Sequence, residues 1–275
     1  VLQRGVQAVV KEPLLTRSFV LLLAGHFMQG LGWTSMLLLP MYLESIGADR
    51  SEIGRIMALG GVGGLLALPF AGLALDRLGR KVTLVTASLV TAFGVALLAV
   101  SPTMGPWLWV ARFIAGVGTG TLFAGYFTFV SDFLPEARRT EGIALFGISG
   151  LLPLLINPFA EALVPNAQAL RWVFPASCIG VLLSIPCLLA IHEPAREPQQ
   201  VSRRGWLQAV TTRSLRPVWV ANLTFASAVA VFMAFAAVAA QGAGMDRPAR
   251  LWIPYALGAI SVRLIGARLP DHVGP

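Results

Sequence analysis

Three polar side chains that could take part in chemistry interrupt long apolar runs of this sequence. His26 and Gln29 lie in one run and Arg112 lies in another. An imidazole titrates near neutral pH, whereas a guanidinium stays charged and needs water or a polar partner. Because an ionisable group is costly to bury in apolar surroundings, each is a candidate for binding or carrying a solute or a proton. A neutral His26 bonded to a neighbouring helix, and an Arg112 bonded to backbone carbonyls, are the structural alternatives.

Further polar residues at helical positions are candidates for lining a solute cavity, although packing or hydrogen bonds between helices would explain each equally well. They are Trp33, Thr34, Asn157 and Asn222. Glu161 lies near the end of its apolar run, where its carboxylate would reach water.

The sequence predicts no catalytic residue, no metal site and no cofactor. Its 3 histidines are scattered, and no G-x-x-x-x-G-K-[ST] loop for ATP occurs. The 2 cysteines, Cys178 and Cys187, share one apolar stretch, which favours core packing over a disulfide or zinc site.

The elements that position these residues are indicated by composition. Hydrophobic residues make up 56% of the chain and charged residues 12%, against roughly 25% charged in soluble domains. The apolar residues form blocks of about 20, the length of a helix that crosses a bilayer. The sequence therefore predicts an all-α membrane protein with eight helices, here called spans 1 to 8: Ser18 to Leu43, Ile53 to Leu75, Val82 to Val100, Pro106 to Val130, Gly142 to Val164, Leu170 to Ile191, Val218 to Ala240 and Leu251 to Gly266.

The basic residues predict the orientation of these spans. Of the 21 Lys and Arg, 15 fall on the side of the N-terminus, Arg112 lies within a span, and the opposite side carries the rest: Arg50, Arg55, Arg171, Arg247 and Arg250. Basic loops stay in the cytoplasm, so the N-terminus is predicted to be cytoplasmic. Basic residues confined to loops between apolar blocks also make nucleic-acid binding an improbable reason for the net charge of +8.

Three regions follow from this pattern. Residues 1–192 are predicted to form a six-helix transmembrane domain, residues 193–217 a cytoplasmic linker, and residues 218–275 the first two helices of a second domain. Within the linker, Gly205 to Val210 is predicted either to lie on the inner leaflet or to be solvated.

One loop carries a specific motif. Gly72 to Lys81, between spans 2 and 3, reads G-L-A-L-D-R-L-G-R-K. It resembles the G-x-L-A-D-R-x-G-R-K/R loop of the major facilitator superfamily, with Ala and Leu exchanged at positions 74 and 75. We call these residues the signature loop. We expect Gly72 to let two helices approach closely, Asp76 to place a carboxylate at the membrane edge, and Gly79 to permit the turn into span 3.

Other segments support the resemblance. Arg263 to Pro275 repeats the signature loop, with Asp271 at the position of Asp76 and Gly274 at that of Gly79, as expected for two halves of parallel topology. Arg112 to Gly120, R-F-I-A-G-V-G-T-G, resembles the family's R-x-x-x-G-x-G motif, and its glycines indicate close helix packing. Asp132 to Arg139 resembles the family's D-x-x-P-x-x-x-R turn. Asn157 to Ala162 keeps Pro158 but lacks the glycines typical of exporters, which leaves the direction of transport open.

The resemblance implies a bundle of twelve helices in two halves, so we expect this chain to be a fragment that inserts but does not transport alone. It implies secondary active transport of a small solute by alternating access in the inner membrane, as efflux or uptake, with protons as the candidate coupling ion and Arg112 tied to that coupling. The partners implied are a small-molecule substrate and the lipid bilayer.

The resemblance also implies a conformational latch. Arg80 would bridge Asp132 at the cytoplasmic ends of spans 3 and 4, while Asp76 would meet the start of a helix in the second half. The residues assigned to the latch are Gly72, Asp76, Arg77, Gly79, Arg80, Asp132, Asp271 and Gly274. A membrane-embedded enzyme, or a non-transporting sensor or scaffold on the same fold, is the alternative function.

Overall fold

A computed structural model describes residues 13–100, 103–193 and 211–266. This part of the chain is helical and contains no β-strand. Ten α-helices follow in order: α1 Arg17–Ser35, α2 Leu39–Ser45, α3 Arg50–Arg77, α4 Arg80–Ala99, α5 Pro106–Ser131, α6 Arg139–Leu151, α7 Asn157–Leu163, α8 Val173–Leu189, α9 Arg216–Gly242 and α10 Trp252–Gly266. We call the end of the bundle with the signature loop the inner end, and the opposite end, where α3 begins, the outer end.

Two of the predicted spans are interrupted helices. Span 1 comprises α1 and α2, separated by tight turns in which Leu37 N–H bonds the Thr34 carbonyl at 3.0 Å, with Pro40 in the first turn of α2. Span 5 comprises α6, a 3₁₀ turn at Leu152–Leu155 that contains Pro153, and α7. Proline cannot donate the bond that would continue an α-helix, and one lies at each interruption, whereas Pro69 and Pro186 lie inside the uninterrupted helices α3 and α8.

Six helical stretches among the described residues are long and apolar enough to cross a membrane. They correspond to predicted spans 2 to 7. Spans 1 and 8 are not among them, because span 1 is interrupted and carries polar side chains and α10 has 15 residues. Large apolar side chains on the surface, such as Phe70 at 73% and Leu65 at 69% exposure, are typical of a surface that faces lipid.

Glycines bring α5 close to α3 and α4. A Cβ atom on Gly116 would collide with the backbone of Gly60, and one on Gly120 would lie 2.5 Å from the Cα of Gly64. On the other side of α5, a Cβ on Gly118 would strike Thr91 of α4. The prediction of close helix packing at the glycines of span 4 is therefore confirmed, and these three helices form a tight group.

The division into domains remains a prediction. Helices α9 and α10 belong to the predicted second half, and they pack on α2 and α6 of the first half. Asp271, Gly274 and the segment Gly205 to Val210 lie outside the described residues.

Candidate functional site

Span 5 runs parallel to span 1, in register with it, and this pairing joins three of the predicted cavity residues, with a fourth, Gln29, between the two contacts on α1. His26 Nδ1 lies 2.8 Å from Ser149 Oγ, and Asn157 Nδ2 donates to the Thr34 carbonyl at 2.9 Å. Both pairs are separated by 123 residues in sequence. Gly30 lies between them and allows the Pro153 ring to approach. The polar side chains therefore hold two neighbouring helices together.

His26 lies in an aromatic surrounding. Its ring stacks on Phe146 with centroids 4.2 Å apart and an interplanar angle of 20°, and Tyr126 is 5.3 Å away. Gly150 is required here, because a Cβ at that position would collide with the imidazole. With 5% exposure and a bond to Ser149, His26 fits the structural alternative of a hydrogen-bonded core histidine.

Gln29 differs from its neighbours on α1. Its side chain is 7% exposed, and the buried Oε1 atom has no hydrogen-bond partner in the described part of the chain. A buried amide oxygen without a donor costs about 1–3 kcal/mol, so an additional polar group at this place would be favourable. Gln29 is the member of this set whose hydrogen bonding is incomplete.

Arg112 lies apart from this set, between α5 and α3. Its guanidinium fits over Gly60, where any side chain would collide with it. Nη2 donates a long bond of 3.5 Å to the Met57 carbonyl, and the buried Nε lacks a partner among the described residues. No described carboxylate lies within 4.0 Å of it. These contacts match the structural alternative of a guanidinium bonded to backbone.

The two remaining cavity candidates do not join the set. Trp33 is partly buried and packs against buried apolar side chains near the outer end. Asn222 is exposed on α9.

At the inner end, Arg80 joins three segments of chain. Its Nη1 donates to Asp76 Oδ1 at 2.8 Å and to the Leu75 carbonyl at 2.6 Å, while Nε lies 3.6 Å from Asp132 Oδ2. The contact expected between Arg80 and Asp132 is present. The contact expected between Asp76 and a helix of the second half is not present among the described residues, where Asp76 binds Arg80 instead.

The glycines of the signature loop have different surroundings. Gly79 has a φ of +90° and precedes α4, as expected for the turn into span 3. The close approach of two helices expected at Gly72 is not seen among the described residues and stays a prediction. No described atom lies within 4 Å of a Cβ built there, because Gly72 is on the exposed face of α3. Arg77 is exposed in the last turn of α3, where a cation favours the helix dipole.

Sequence reasoning missed Glu193. Its Oε1 accepts the backbone N–H of Arg80 at 2.8 Å, at the start of α4. Lys81 Nζ donates to the Leu189 carbonyl at 3.0 Å, so the end of span 6 is fastened to the signature loop by two bonds. A carboxylate is favourable at a helix N-terminus, but no local motif indicated which carboxylate would occupy it.

The fold and the loop define a polytopic helical membrane protein of transporter type, and comparison with known proteins gives its family. The sequence profile of the Major Facilitator Superfamily matches residues 21–275. The chain belongs to this superfamily.

Individual relatives are distant. The Quinolone resistance protein NorA of Staphylococcus aureus is 21% identical over 182 residues, covering 63% of this chain and 47% of NorA. The Niacin transporter NiaP of Acinetobacter baylyi is 29% identical over 184 residues, covering 61% of this chain and 41% of NiaP. The chain spans about half the length of the curated relatives it matches.

Solved structures share the fold. The xylose transporter XylE from E. coli, in a partially occluded inward open conformation, matches with a TM-score of 0.67 at 15% identity, covering 94% of this chain and 73% of XylE. A peptide transporter POT in complex with sulfate matches with a TM-score of 0.56 at 18% identity, covering 75% of this chain and 45% of that one.

Proposed function

We propose that this chain is part of a secondary active transporter that moves a small solute across the inner membrane by alternating access. Its N-terminus and the linker at residues 193–217 lie in the cytoplasm, and protons are the coupling ion. The protein uses no cofactor and catalyses no reaction. Membership of a transporter family supports this proposal, and relatives include proteins named for drug resistance and for niacin transport.

The observation that carries the proposal is the bridge made by Arg80. One guanidinium connects the ends of spans 2 and 4 through Asp76 and Asp132, and its own backbone N–H connects span 3 to Glu193. These contacts, hydrogen bonds for three spans and a longer ion pair for span 4, link four spans to one another at the inner end. A transporter that rocks its halves requires each half to move as a rigid unit, and this network supplies that rigidity.

The solute pathway is proposed to lie along α1. His26, Thr34 and Asn157 fix span 1 to span 5, which would give a solute pathway along α1 a stable wall, and Gln29 offers an amide oxygen that is unpaired within the described residues. Arg112 remains the candidate for proton coupling, because its buried Nε is unpaired within the described residues. Such coupling would require a carboxylate or a bound solute to approach Arg112 during the cycle.

The test is a transport assay in cells that express the full-length protein. Accumulation or efflux of a panel of metabolites and drugs is measured with and without a proton uncoupler. We expect one solute or solute class to move in a gradient-dependent manner that the uncoupler abolishes. Normal membrane insertion with no solute moved would contradict the proposal and favour the sensor or scaffold, and chemical conversion of a solute would favour the enzyme.

A further inference from the structure

Among the described residues, the carboxylate of Glu161 connects the predicted halves at the outer end. Glu161, in the last turn of α7, accepts the backbone N–H of Ala249 through Oε2 at 3.2 Å. Ala249 belongs to a 3₁₀ turn, Pro248–Leu251, that leads directly into α10. Span 5 lies in the first predicted half and α10 in the second, so this bond crosses the boundary between them.

The position of Glu161 is unfavourable in its own helix. A negative charge near a helix C-terminus is repelled by the partial charges of the free carbonyls, whereas the start of another helix attracts it. The start of span 8 provides that attraction, and Arg247 and Arg250 of the same loop interact electrostatically with Glu161. Asp246 is the acidic group of that loop, and it lines a cavity at the outer end together with Glu161. The second half therefore provides the positive electrostatic surroundings that the Glu161 carboxylate lacks at the end of α7.

Spans 5 and 8 remain in contact on the inner side of this bond. Towards the inner end, Gly147 of α6 allows the guanidinium of Arg263 of α10 to approach. Between these points Leu154 and Ala256 are both fully buried. Beside the Glu161 bond, a cavity of about 400 Å³ is lined by both halves, including Met41 and Leu170 from the first and Gln241 from the second. The contact between spans 5 and 8 is thus polar at its outer end. Because the cavity lies beside it, less apolar surface has to separate there when the halves move apart.

Glu161 and Asp76 occupy corresponding positions in the two inverted repeats of the first half. Each half of this family contains two repeats of three helices with inverted topology, so span 5 corresponds to span 2 on the opposite side of the membrane. Asp76 lies in the last turn of α3 at the inner end, and Glu161 lies in the last turn of α7 at the outer end.

We propose that Glu161 is the gate residue of the outer end: its bond to Ala249, in the turn that leads into span 8, holds the halves closed there and breaks when the cavity opens outward. This inference rests on the proposed alternating-access function. It assigns to the outer end a carboxylate contact equivalent to the one expected of Asp76 at the inner end.

The test measures outer opening without measuring transport. Ala256, 0% exposed and on the span 8 side of the contact, is replaced by cysteine, Cys187 is replaced by alanine, and native Cys178 is kept. Labelling by a membrane-impermeant thiol reagent in intact cells is followed separately at each thiol by peptide mass. In this background Glu161→Gln removes the charge while it conserves the size of the side chain.

We expect Glu161→Gln to increase the labelling rate at position 256 about tenfold, the shift expected when a hydrogen bond to a charged group becomes one to a neutral amide. Glu52→Gln is the matched control, because Glu52 is an outer carboxylate that caps its own helix, α3. In the Glu52→Gln variant, the thiol at position 256 should be labelled at the same rate as in the parent.

Equal rates for Glu161→Gln and its parent, or an equal increase in Glu52→Gln, would overturn the inference. Faster labelling of Cys178 together with position 256 would indicate general loosening of the first half and would also overturn it. Because no solute is needed, a protein that fails every transport assay still reports on the gate, and the two proposals can fail separately.

Discussion

Arg80 shows why the chemistry of a single side chain matters at the inner end. A guanidinium is planar and has five N–H donors, so one group can donate to the Leu75 carbonyl and to Asp76 while its Nε lies 3.6 Å from Asp132 as a longer ion pair. Removal of the Asp76 or the Asp132 carboxylate leaves part of the Arg80 guanidinium without a partner. The helix end that carried this carboxylate is then no longer held to Arg80. The network predicts that transport depends on these charges more than on the shape of the loop.

For the full-length protein we predict that Asp76→Asn inserts normally but transports about tenfold more slowly, because hydrogen bonds to charged groups contribute about 1.5–3 kcal/mol. Initial rates of solute flux, normalised to membrane-inserted protein, provide the measurement. Glu136→Gln is the matched control, because Glu136 is an exposed carboxylate in the 3₁₀ turn that follows α5. Undiminished flux in Asp76→Asn would show that the signature loop only sets topology.

The pair His26 and Ser149 gives a second prediction at this scale. Ser149→Ala removes the partner of a buried imidazole nitrogen, which should cost about 1–3 kcal/mol and lower the melting temperature in detergent. Ser131→Ala is the matched control, since the Ser131 hydroxyl donates to the Phe127 carbonyl of its own helix. Equal melting temperatures for the two variants would mean that His26 finds another partner, such as water in an open cavity.

Among the elements, the helices were predictable and their interruptions were not. Apolar blocks placed spans 2 to 7 within a few residues of the observed helices, because a bilayer demands a minimum apolar length. The breaks after Ser35 and Leu151 were missed, since proline is tolerated in membrane helices and its effect depends on neighbours. The pairing of span 1 with span 5 could not be predicted from the sequence either, because contacts between residues 123 positions apart leave no local pattern.

Glycines in span 4 provide a test at the level of the element. We predict that Gly116→Ala lowers the melting temperature, because the added methyl group would collide with the Gly60 backbone and force α3 and α5 apart. Overpacking of this kind costs about 1–3 kcal/mol. Gly61→Ala is the matched control, since no described atom lies within 4 Å of a Cβ there. Identical melting temperatures for both variants would refute close packing as the role of the motif.

At the scale of the whole molecule, the distribution of charge determines how the bundle sits in the membrane. The signature loop with its Arg and Lys, the residues around Arg138, and the start of α9 lie at one end, while Arg50, Arg171 and Arg247 lie at the other. Arg and Lys concentrate in loops that remain in the cytoplasm. The inner end, defined here by the signature loop, is therefore the end that we assign to the cytoplasm.

Orientation can be measured directly with two cysteines on opposite ends. In a Cys178→Ala, Cys187→Ala background, Ser51→Cys reports on the outer end and Ser214→Cys on the inner end, and both positions are exposed. Because the excess of positive charge keeps the inner end in the cytoplasm, we predict that an impermeant thiol reagent labels Ser51→Cys in intact cells and labels Ser214→Cys only after the membrane is opened. The thiol reactivity of each variant in detergent controls for local accessibility. Labelling of Ser214→Cys but not Ser51→Cys in intact cells would invert the assignment, and with it the side on which the Glu161 gate opens.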